Sequence, residues 1–472
     1  MIYPKQRPKL NRMKTINLFE FGKWKTVAKN EAKLEAFNTF LNTLWQNRKA
    51  TTLSYDEQDW EFDDEAKEQQ FLSLNFKKQI RAKNYVGVIR FGETVVNILP
   101  KVFKQQGEPN ETDLQQIHAH LLWWLSYNSK IQFPKSWSNF NDIKSDFFEI
   151  LIYSFANYTK TTLTKILYQT YQEVENELPY MKGRLNMSQY IQRNLSQGRW
   201  HQLSCVYSSF ELDNRFNRII KYVAKLLLFA TQSQQNKRLL SDIIFMLNDV
   251  QDKRMIAADC EKVHINPLYE ELLPILDYCR LFLTNSTVLR YKNELEVFAF
   301  LLPMEVIFED FVAGFLKRHF NDHLKTIKTQ KSDKYLATNN LDEKIFQIRH
   351  DIFIERFKKT PIIIDTKYKR LKRKDKKNGV SQSDMYQMVS YAIRRGCTDV
   401  KLIYPTDLGS SNNEKIIYKV KDELAENQII EIEIYEIPII QNNFELQSNL
   451  NLEQQFEILK NELEKSFKAI LL

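Results

Sequence analysis

The chain has 472 residues, which predicts two or three domains because a single hydrophobic core rarely grows beyond about 250–300 residues. Hydrophobic residues make up 43% of it, and only ten glycines and twelve prolines occur, which excludes a largely disordered or loop-dominated chain. The formal net charge of +9 favours an anionic partner such as nucleic acid, although moderately basic proteins without such a partner are common.

The four cysteines lack the spacing of a zinc site, and we expect reduced thiols. No apolar segment follows the basic amino terminus, and no run of eighteen uncharged apolar residues occurs. Neither a signal peptide nor a membrane span is therefore predicted. We expect a cytoplasmic protein with no membrane partner.

Residues 1–108 mix short alternating apolar runs with charged connections and predict a mixed β domain. Residues 86–90 and 94–99 flank a Phe-Gly-Glu sequence, a pattern typical of a β-hairpin. The polar segment 105–111 contains glycine and proline and predicts a linker.

Residues 109–293 show mostly helical periodicity, interrupted near residues 177–206, and predict an α-rich middle domain. His118 and His120 are two residues apart and point to different sides of a helix, which argues against a metal-binding pair. No GxxxxGK[ST] sequence occurs in the chain, so any NTP hydrolysis must come from a partner.

Residues 294–440 are predicted to form an α/β domain, followed by a helical tail over residues 441–472. Two β-like runs, residues 346–357 and 361–368, are separated by a short basic turn, and a further strand is predicted over residues 399–404.

Two aspartates and a lysine are placed where the first two of these runs meet. Side chains alternate across a strand, so Asp365 and Lys367 share one face of the second run. A tight turn between the runs would bring Asp351, from the first run, beside Asp365. Three consecutive isoleucines precede Asp365, so a buried strand delivers charged groups to the end of the sheet, which is costly unless these groups are used.

These residue types suit a hard divalent ion such as Mg²⁺, which needs oxygen ligands and leaves positions for water and substrate phosphate. Asp351 and Asp365 are predicted to hold the ion, with the backbone carbonyl of Thr366 as a further ligand. Lys367 would orient or deprotonate the attacking water and help to neutralise charge on the phosphate. The Asp-x-Lys triplet alone is a weak signal, because surface salt bridges of this spacing recur in a lysine-rich chain.

Predicted helices flank this site in the sequence. Upstream, the apolar pattern of residues 304–316 predicts a helix from which Glu309 would reach the site. Downstream, a helix is predicted to begin near residue 383, with Gln387 and Tyr391 one turn apart. We expect Gln387 and Tyr391 to support the site or to touch the nucleic-acid backbone.

A strongly basic segment, residues 369–377, follows directly after Lys367 and carries seven basic residues and one acid. Such a run is usually a solvated surface. Its position beside the predicted metal site instead favours contact with phosphate, which would be seen as salt-dependent affinity.

The order of these elements (helix, strands, acid-bearing hairpin, helix, strand) resembles the PD-(D/E)xK nuclease core. Asp351 would be the first acid, and Asp365 with Lys367 the second motif. His350 departs from the usual proline before the first acid, at a position that is not a ligand. The resemblance implies a phosphodiester hydrolase.

Further short motifs narrow the family. They are the paired runs 85–90 and 95–101, the LPxxxGRL-like segment 178–185, the Asp-Asn-Arg sequence within 213–218, the Phe-Glu pair 308–309, and the nuclease residues Asp351, 365–368, Gln387 and Tyr391. In this order, between about residues 84 and 405, they resemble the McrC family, the nuclease subunit of McrBC modified-cytosine restriction systems.

With this resemblance we predict an α+β chain with a β-containing N-terminal domain, an α-rich middle region and a C-terminal α/β PD-(D/E)xK endonuclease-like domain. The resemblance implies an Mg²⁺-dependent endonuclease that cleaves double-stranded DNA modified at cytosine. It also implies a McrB-type AAA+ GTPase hexamer as partner, which binds the GTP. The resemblance further implies that the domain of residues 1–108 docks on this partner and that the amino-terminal half of the chain stimulates its GTP hydrolysis.

Three alternatives remain open. One is a related subunit that cuts unmodified specific sites with a McrB-like partner. Another is a catalytically silent adaptor that only regulates the AAA+ partner, and the third is a repair nuclease that acts alone. The intact Asp351, Asp365 and Lys367 argue against a silent adaptor, and the amino-terminal motif disfavours a nuclease that acts alone.

Overall fold

The structure, a computed structural model, describes the greater part of the chain. The described residues are 14–26, 37–43, 45–46, 69, 71–75, 77, 79–91, 94–104, 108–128, 147–290, 296–357, 359–371, 375–407, 415–422, 428–441 and 452–471.

The chain forms two compact units. The first unit comprises Met1–Phe148 and Asn285–Leu472, and the second comprises Glu149–Thr284. Both ends of the sequence thus contribute to the first unit, and the second unit is a continuous segment between them. The boundaries of these two units differ from those of the predicted domains at residues 1–108, 109–293 and 294–440. The division into those domains stays a prediction.

The strands are numbered in chain order. They are β1 (Lys14–Phe19), β2 (Lys25–Thr26), β3 (Leu72–Leu74), β4 (Gln79–Ala82), β5 (Tyr85–Phe91), β6 (Thr94–Leu99), β7 (Thr170–Leu178), β8 (Arg184–Leu185), β9 (Leu203–Glu211), β10 (Ser286–Arg290), β11 (Glu296–Pro303), β12 (Thr326–Thr338), β13 (Lys344–Glu355), β14 (Ile362–Thr366), β15 (Asp399–Pro405), β16 (Ile416–Asp422) and β17 (Gln428–Ile437).

The helices follow the same order. They are α1 (Glu111–Leu125), α2 (Phe147–Lys165), α3 (Met187–Gln189), α4 (Arg215–Ala230), α5 (Gln234–Met246), α6 (Ala257–Glu261), α7 (Leu273–Asn285), α8 (Met304–Phe320), α9 (Gln382–Arg395) and α10 (Leu452–Leu471). Within the described residues, no helix combines the length and the apolar composition that crossing a membrane requires.

The amino-terminal strands belong to a five-stranded sheet with the order β1-β6-β5-β11-β10. The predicted hairpin of β5 and β6 is confirmed, and β11 pairs with the other edge of β5. Gly87 has a φ of +136°, and a Cβ there would lie 2.1 Å from the carbonyl oxygen of Phe300. The glycine of the amino-terminal motif is therefore required by the close approach of a strand about 200 residues later in the sequence.

Helix α1 joins the two sequence-distant parts of the first unit. Asn110 and Asp113 form a capping box at its start, at the end of the predicted linker. The ring centroid of Trp123 lies 4.9 Å from that of Phe311 in α8 and 5.3 Å from that of Phe456 in α10. These aromatic contacts form a core to which residues before and after the second unit both contribute.

The second unit is α-rich, with a small sheet where the helical pattern is interrupted. Strands β7, β9 and β8 form this sheet. Gly183, with φ +70°, lies where a Cβ would meet the carbonyl oxygen of Val206 at 2.4 Å. Asn214 caps α4, and Asn217 Nδ2 donates to the carbonyl oxygen of Tyr168 at 2.7 Å. The LPxxxGRL-like and Asp-Asn-Arg motifs thus stabilise local structure here.

The carboxyl-terminal sheet has six strands in the order β12-β13-β14-β15-β17-β16. Strands β12, β13 and β14 are antiparallel neighbours, whereas β14, β15 and β17 run parallel. The isoleucines at 362–364 are fully buried in β14, which explains why this segment is apolar without alternation. Helix α9 connects β14 to β15. The predicted α+β class is confirmed.

Candidate functional site

The two acids and the lysine meet where β13 and β14 lie side by side. Lys367 Nζ is 2.8 Å from Asp365 Oδ2. Asp351 Oδ2 accepts hydrogen bonds from the backbone N–H of Thr366 at 2.7 Å and from its hydroxyl at 2.8 Å. The sequence predicts a role only for the carbonyl of Thr366, so this double donation to Asp351 is a function of Thr366 that sequence reasoning missed.

Helix α9 supplies the second set of contacts to Lys367. Gln387 Oε1 accepts a hydrogen bond from Lys367 Nζ at 3.1 Å, and Gln387 Nε2 donates to the Tyr391 hydroxyl at 2.7 Å. The structure therefore brings Gln387 and Tyr391 to the site, where hydrogen bonds link Lys367 to Gln387 and Gln387 to Tyr391. Within these contacts, Gln387 bridges the lysine and the tyrosine.

Asp384 is a buried acid of this site that sequence reasoning treated only as a helix start. Its carboxylate is 2.9 Å from Lys369 Nζ and 4.0 Å from Lys367 Nζ. The signal was present in the spacing, since positions 384, 387 and 391 lie on one face of a helix. Without the structure, nothing indicated that this face lies against the lysine.

Glu309 lies close to the same acids on α8. Gln330 Nε2, from β12, donates to Glu309 Oε1 at 3.2 Å. Gln330 has a φ of +49°, an uncommon backbone conformation for a residue with a side chain, at the strand position opposite Asp351. Such strained positions concentrate at functional sites. Gln330 is a second residue that the sequence did not reveal.

The acids shift one another's ionisation. Burial, and then the charge of Asp351, raises the pKa of Asp365 to about 7, against the lowering effect of Lys367. Burial and Asp351 likewise raise the pKa of Glu309 to about 8. Burial also raises the pKa of Asp351, although the Thr366 hydrogen bonds oppose it. Three carboxyl groups therefore share one poorly solvated region.

Lys367 is the cation that these acids surround. Burial lowers its pKa, but the negative charges of Asp365, Asp351 and Asp384 outweigh burial and raise the pKa above its ordinary value. The ammonium form is therefore the stable one in this structure. A lysine in this state donates hydrogen bonds and neutralises charge.

Oxygen donors of this kind fit a hard divalent cation. Asp351 and Asp365 repel each other in a buried setting, and a bound cation would relieve that repulsion. Among the described residues, no group of three His, Cys, Asp or Glu side chains is arranged to hold a metal ion. A site of two carboxylates completed by water is the pattern that Mg²⁺ uses in proteins.

His350 occupies the position before the first acid and is fully buried. Its ring centroid lies 4.5 Å from that of Tyr391, and its Nδ1 is 3.2 Å from the carbonyl oxygen of Lys331. Burial lowers the pKa of His350 to about 4, so the imidazole is neutral and packs behind the site.

The basic segment 369–377 is only partly described, since residues 372–374 lie outside the described residues. Lys369 pairs with Asp384, and Arg370 pairs with Asp407. These two basic side chains therefore have partners within the protein. Phosphate contact by the segment stays a prediction.

A second Asp-x-Lys triplet lies in the same sheet and differs from the first. Asp399 Oδ1 is 2.7 Å from Lys401 Nζ, and Asp399 Oδ2 also pairs with Arg356 at 2.8 Å. Lys401 also pairs with the buried carboxylate of Glu433. Asp399 and Glu433 are thus each paired with at least one cation, which is the pattern of a structural ion-pair network.

Comparison with known proteins identifies a family to which the sequence is similar. The family described as McrBC 5-methylcytosine restriction system component matches residues 80–405 of the chain. No curated protein matches it.

Two solved structures are similar to the chain. One is the refined half-complex from the tetradecameric assembly of Thermococcus gammatolerans McrB AAA+ hexamers with bound McrC. The similarity has a TM-score of 0.63 and 19% identity, and it covers 96% of this chain and 99% of that chain. The other is the cryo-EM structure of the Thermococcus gammatolerans McrBC complex, with a TM-score of 0.47 and 22% identity, covering 64% of this chain and 87% of that chain.

The family match covers more than half of the sequence and contains every motif on which the resemblance was based. The similarity to the half-complex supports the same α+β fold over nearly the whole length of both chains. The chain belongs to the McrBC 5-methylcytosine restriction system component family.

Proposed function

We propose that this chain is the Mg²⁺-dependent DNA endonuclease subunit of a McrBC-like restriction system. The observation that carries the proposal is the contrast between the two Asp-x-Lys triplets of one sheet. Asp365 and Lys367 have a second acid, Asp351, and a glutamine beside them, and their acids keep raised pKa values. Keeping two acids of raised pKa at a buried strand end is costly unless they are used.

Asp351, Asp365 and the carbonyl of Thr366 are the groups that would hold Mg²⁺. When bound, the ion supplies a water of lowered pKa and offsets negative charge on the phosphate. Thr366 orients Asp351 by donating two hydrogen bonds to one of its oxygens. That leaves the other oxygen of Asp351 for the ion.

Lys367 acts as a positioned cation in this proposal. It would orient or deprotonate the attacking water and stabilise the charge that gathers on the phosphate. Gln387 holds the ammonium from the side of α9, and Tyr391 fixes the amide orientation of Gln387.

A McrB-type AAA+ GTPase hexamer is the proposed partner. Two observations support it: the chain has no P-loop of its own, and the similar half-complex contains McrB AAA+ hexamers with bound McrC. GTP would be bound by that partner, and double-stranded DNA modified at cytosine would be the substrate, as the family description suggests. A subunit that cuts unmodified specific sites and a silent adaptor are the alternatives that the experiment below separates.

The test is DNA cleavage by the full chain with its partner, GTP and Mg²⁺. Asp365→Ala and Lys367→Ala should each lower the cleavage rate by at least about 10³-fold, because each removes charge at the reacting phosphate. Asp399→Ala is the matched control from the second triplet, and it should leave the rate per folded molecule unchanged.

The same reactions include GTP turnover and two substrates. Asp365→Ala should raise the partner's GTP turnover as the wild type does, since the metal site is assigned no role in GTP hydrolysis. Wild-type cleavage by Asp365→Ala would exclude this site from the reaction. Equal cleavage of modified and unmodified DNA would favour the alternative substrate, and an inactive wild type would favour the adaptor.

A further inference from the structure

A buried cluster joins the ends of three strands in the first unit. Glu20 follows β1, Lys101 follows β6, and Tyr368 lies just beyond β14, directly after Lys367. We call these three residues the strand-end cluster. The backbone N–H of Lys101 donates to Glu20 Oε2 at 3.0 Å, and the Lys101 ammonium lies 4.3 Å from the centroid of the Tyr368 ring.

The strand-end cluster buries two ionisable side chains, Glu20 and Lys101. Glu20 is fully buried, and Lys101 is only 8% exposed. Burial lowers the pKa of Lys101, and the charges of Glu20 and Glu305 raise it again. Burying such groups is costly unless the surroundings compensate for the lost hydration. An ammonium over an aromatic face regains part of the electrostatic stabilisation that it loses on leaving water.

Tyr368 is held mainly through its ring. Its hydroxyl lies near the Glu20 carboxylate and near the backbone of Val102, in neither case with good hydrogen-bond geometry. The ammonium of Lys101 on the ring is therefore the best-defined polar contact of this side chain. Removing that ammonium should leave the ring free to shift.

A shift of Tyr368 would be transmitted to Lys367 through the backbone, which two hydrogen bonds hold on either side of Tyr368. The backbone N–H of Lys367 donates to the carbonyl oxygen of Ile403 at 2.8 Å, and the N–H of Lys369 donates to the carbonyl oxygen of Lys367 at 2.7 Å. Tyr368 lies between these two bonds in a tight turn. Its ring also packs against Phe308, at 5.9 Å between centroids, and Phe308 is the neighbour of Glu309 in α8.

We propose that Lys101, supported by Glu20, is a positioning residue for DNA cleavage, because its ammonium fixes Tyr368 and thereby the adjacent Lys367. The sheet formed by the amino-terminal strands is then a working part of the nuclease site. Displacement of a reacting group by about 1 Å can cost a factor of about 100 in rate. The inference rests on the proposed nuclease function.

Lys101→Met tests the proposal in the full chain with its partner, GTP and Mg²⁺. Methionine keeps the length and the apolar stem but removes the ammonium. We expect kcat for DNA cleavage to fall about tenfold while the DNA concentration for half-maximal rate changes by less than about twofold, because binding is intact and only alignment is lost. GTP turnover of the partner should stay at the wild-type level.

The matched control is Lys221→Met, which removes another buried lysine. Lys221 lies in the second unit, where its ammonium donates to the carbonyl oxygens of Asn248 and Val250. Both variants should lower the midpoint of thermal unfolding, whereas only Lys101→Met should lower kcat per folded molecule. If the two variants lost cleavage only in proportion to their folded fraction, Lys101 would be structural and the proposal overturned.

Two further variants make every outcome decisive. Should Lys101→Met fail to fold, Glu20→Gln weakens the support of Lys101 with little change in volume, and kcat should fall about threefold at unchanged half-saturation. Wild-type kcat in Glu20→Gln would then overturn the proposal. Asp365→Ala in the same assay separates failure of this inference from failure of the proposed nuclease function. An active Asp365→Ala or an inactive wild type would overturn the nuclease function itself, and with it this inference.

Discussion

At the scale of single residues, the site is a group of acids whose repulsion one lysine relieves only in part. Asp365 is 1% exposed, and its charge is opposed by burial and by Asp351. Lys367 contacts Asp365 directly, but Asp351 depends on hydrogen bonds from Thr366. The metal-free protein therefore stores unfavourable electrostatic energy whenever these acids are ionised.

The metal-free protein should lose stability as the pH rises, and Asp365 should account for part of that loss. Its pKa is 3.8 ordinarily and about 7 in the folded protein, so between these values the folded state binds more protons. The stability that its proton contributes is complete below the unfolded pKa and is lost as the pH rises through 7. In EDTA, Asp365→Asn should exceed the wild type by about 1–3 kcal/mol at pH 8 and by less at pH 5.

Thermal unfolding across this pH range measures the effect. Asp322→Asn removes an exposed carboxylate just after α8 and should leave the pH dependence as it is in the wild type. Added Mg²⁺ should stabilise the wild type at pH 8 more than it stabilises Asp365→Asn. A gap between Asp365→Asn and the wild type that stays constant with pH would show that Asp365 ionises normally.

At the scale of elements, one face of α9 carries Asp384, Gln387 and Tyr391 and lies toward Lys367. Ser381 caps the helix through its hydroxyl, and Gly396 ends it in the left-handed conformation, so its length and rotation are well defined. The hydrogen bond from Lys367 to Gln387 then depends on how α9 lies against β14.

Gln387→Ala should lower the cleavage rate by about 10–100-fold, less than the loss in Asp365→Ala, because Gln387 orients a charge and does not supply it. The helix offers a matched control, since Gln382 also donates to a tyrosine one turn later, Tyr386, on an exposed face. Gln382→Ala should cleave at the wild-type rate. Equal losses in the two variants would mean that α9 acts only through its stability.

The secondary-structure elements of the carboxyl-terminal part were predictable because the sequence patterns that specify them are local. A run of isoleucines predicts the buried strand β14, and alternation places Asp365 and Lys367 on one face of it. The pairing of β11 with β5 was not predictable in this way, because nothing local specifies a partner about 200 residues away. The contacts of Asp384 and Gln330 were missed for the same reason, since each depends on the approach of another element.

At the scale of the whole molecule, the carboxyl-terminal part of the chain is not independent of the amino-terminal part. Strand β11 pairs with β5, and Gly314 in α8 lies so close to the turn after α1 that a Cβ would meet the carbonyl oxygen of Tyr127 at 1.7 Å. From sequence alone, a fragment of residues 290–472 is expected to keep the metal site. The structure argues against that expectation, because the fragment would lose the partner surfaces of β11 and α8.

The fragment 290–472 should therefore show no cooperative unfolding transition. Each buried aromatic or aliphatic side chain that the cut exposes contributes about 1.5–3 kcal/mol, and several such losses together exceed the stability of a typical domain. Co-expression of residues 1–148 with 285–472 should restore a complex that purifies together. Calorimetry is the measurement, and a sharp transition in the fragment 290–472 alone would contradict the interdependence.

The return of the chain to the first unit after Thr284 has a consequence for synthesis. On the ribosome, β5 and β6 emerge long before β11, and at about 5–20 residues per second the delay is roughly 10–40 s. During that time one edge of β5 has no partner strand, and the segment 149–284 can fold first. Strand β14 is made later still, so a prematurely terminated chain that ends before it contains no assembled acids. A partial chain must therefore extend beyond β14 before Asp365 and Lys367 can join Asp351.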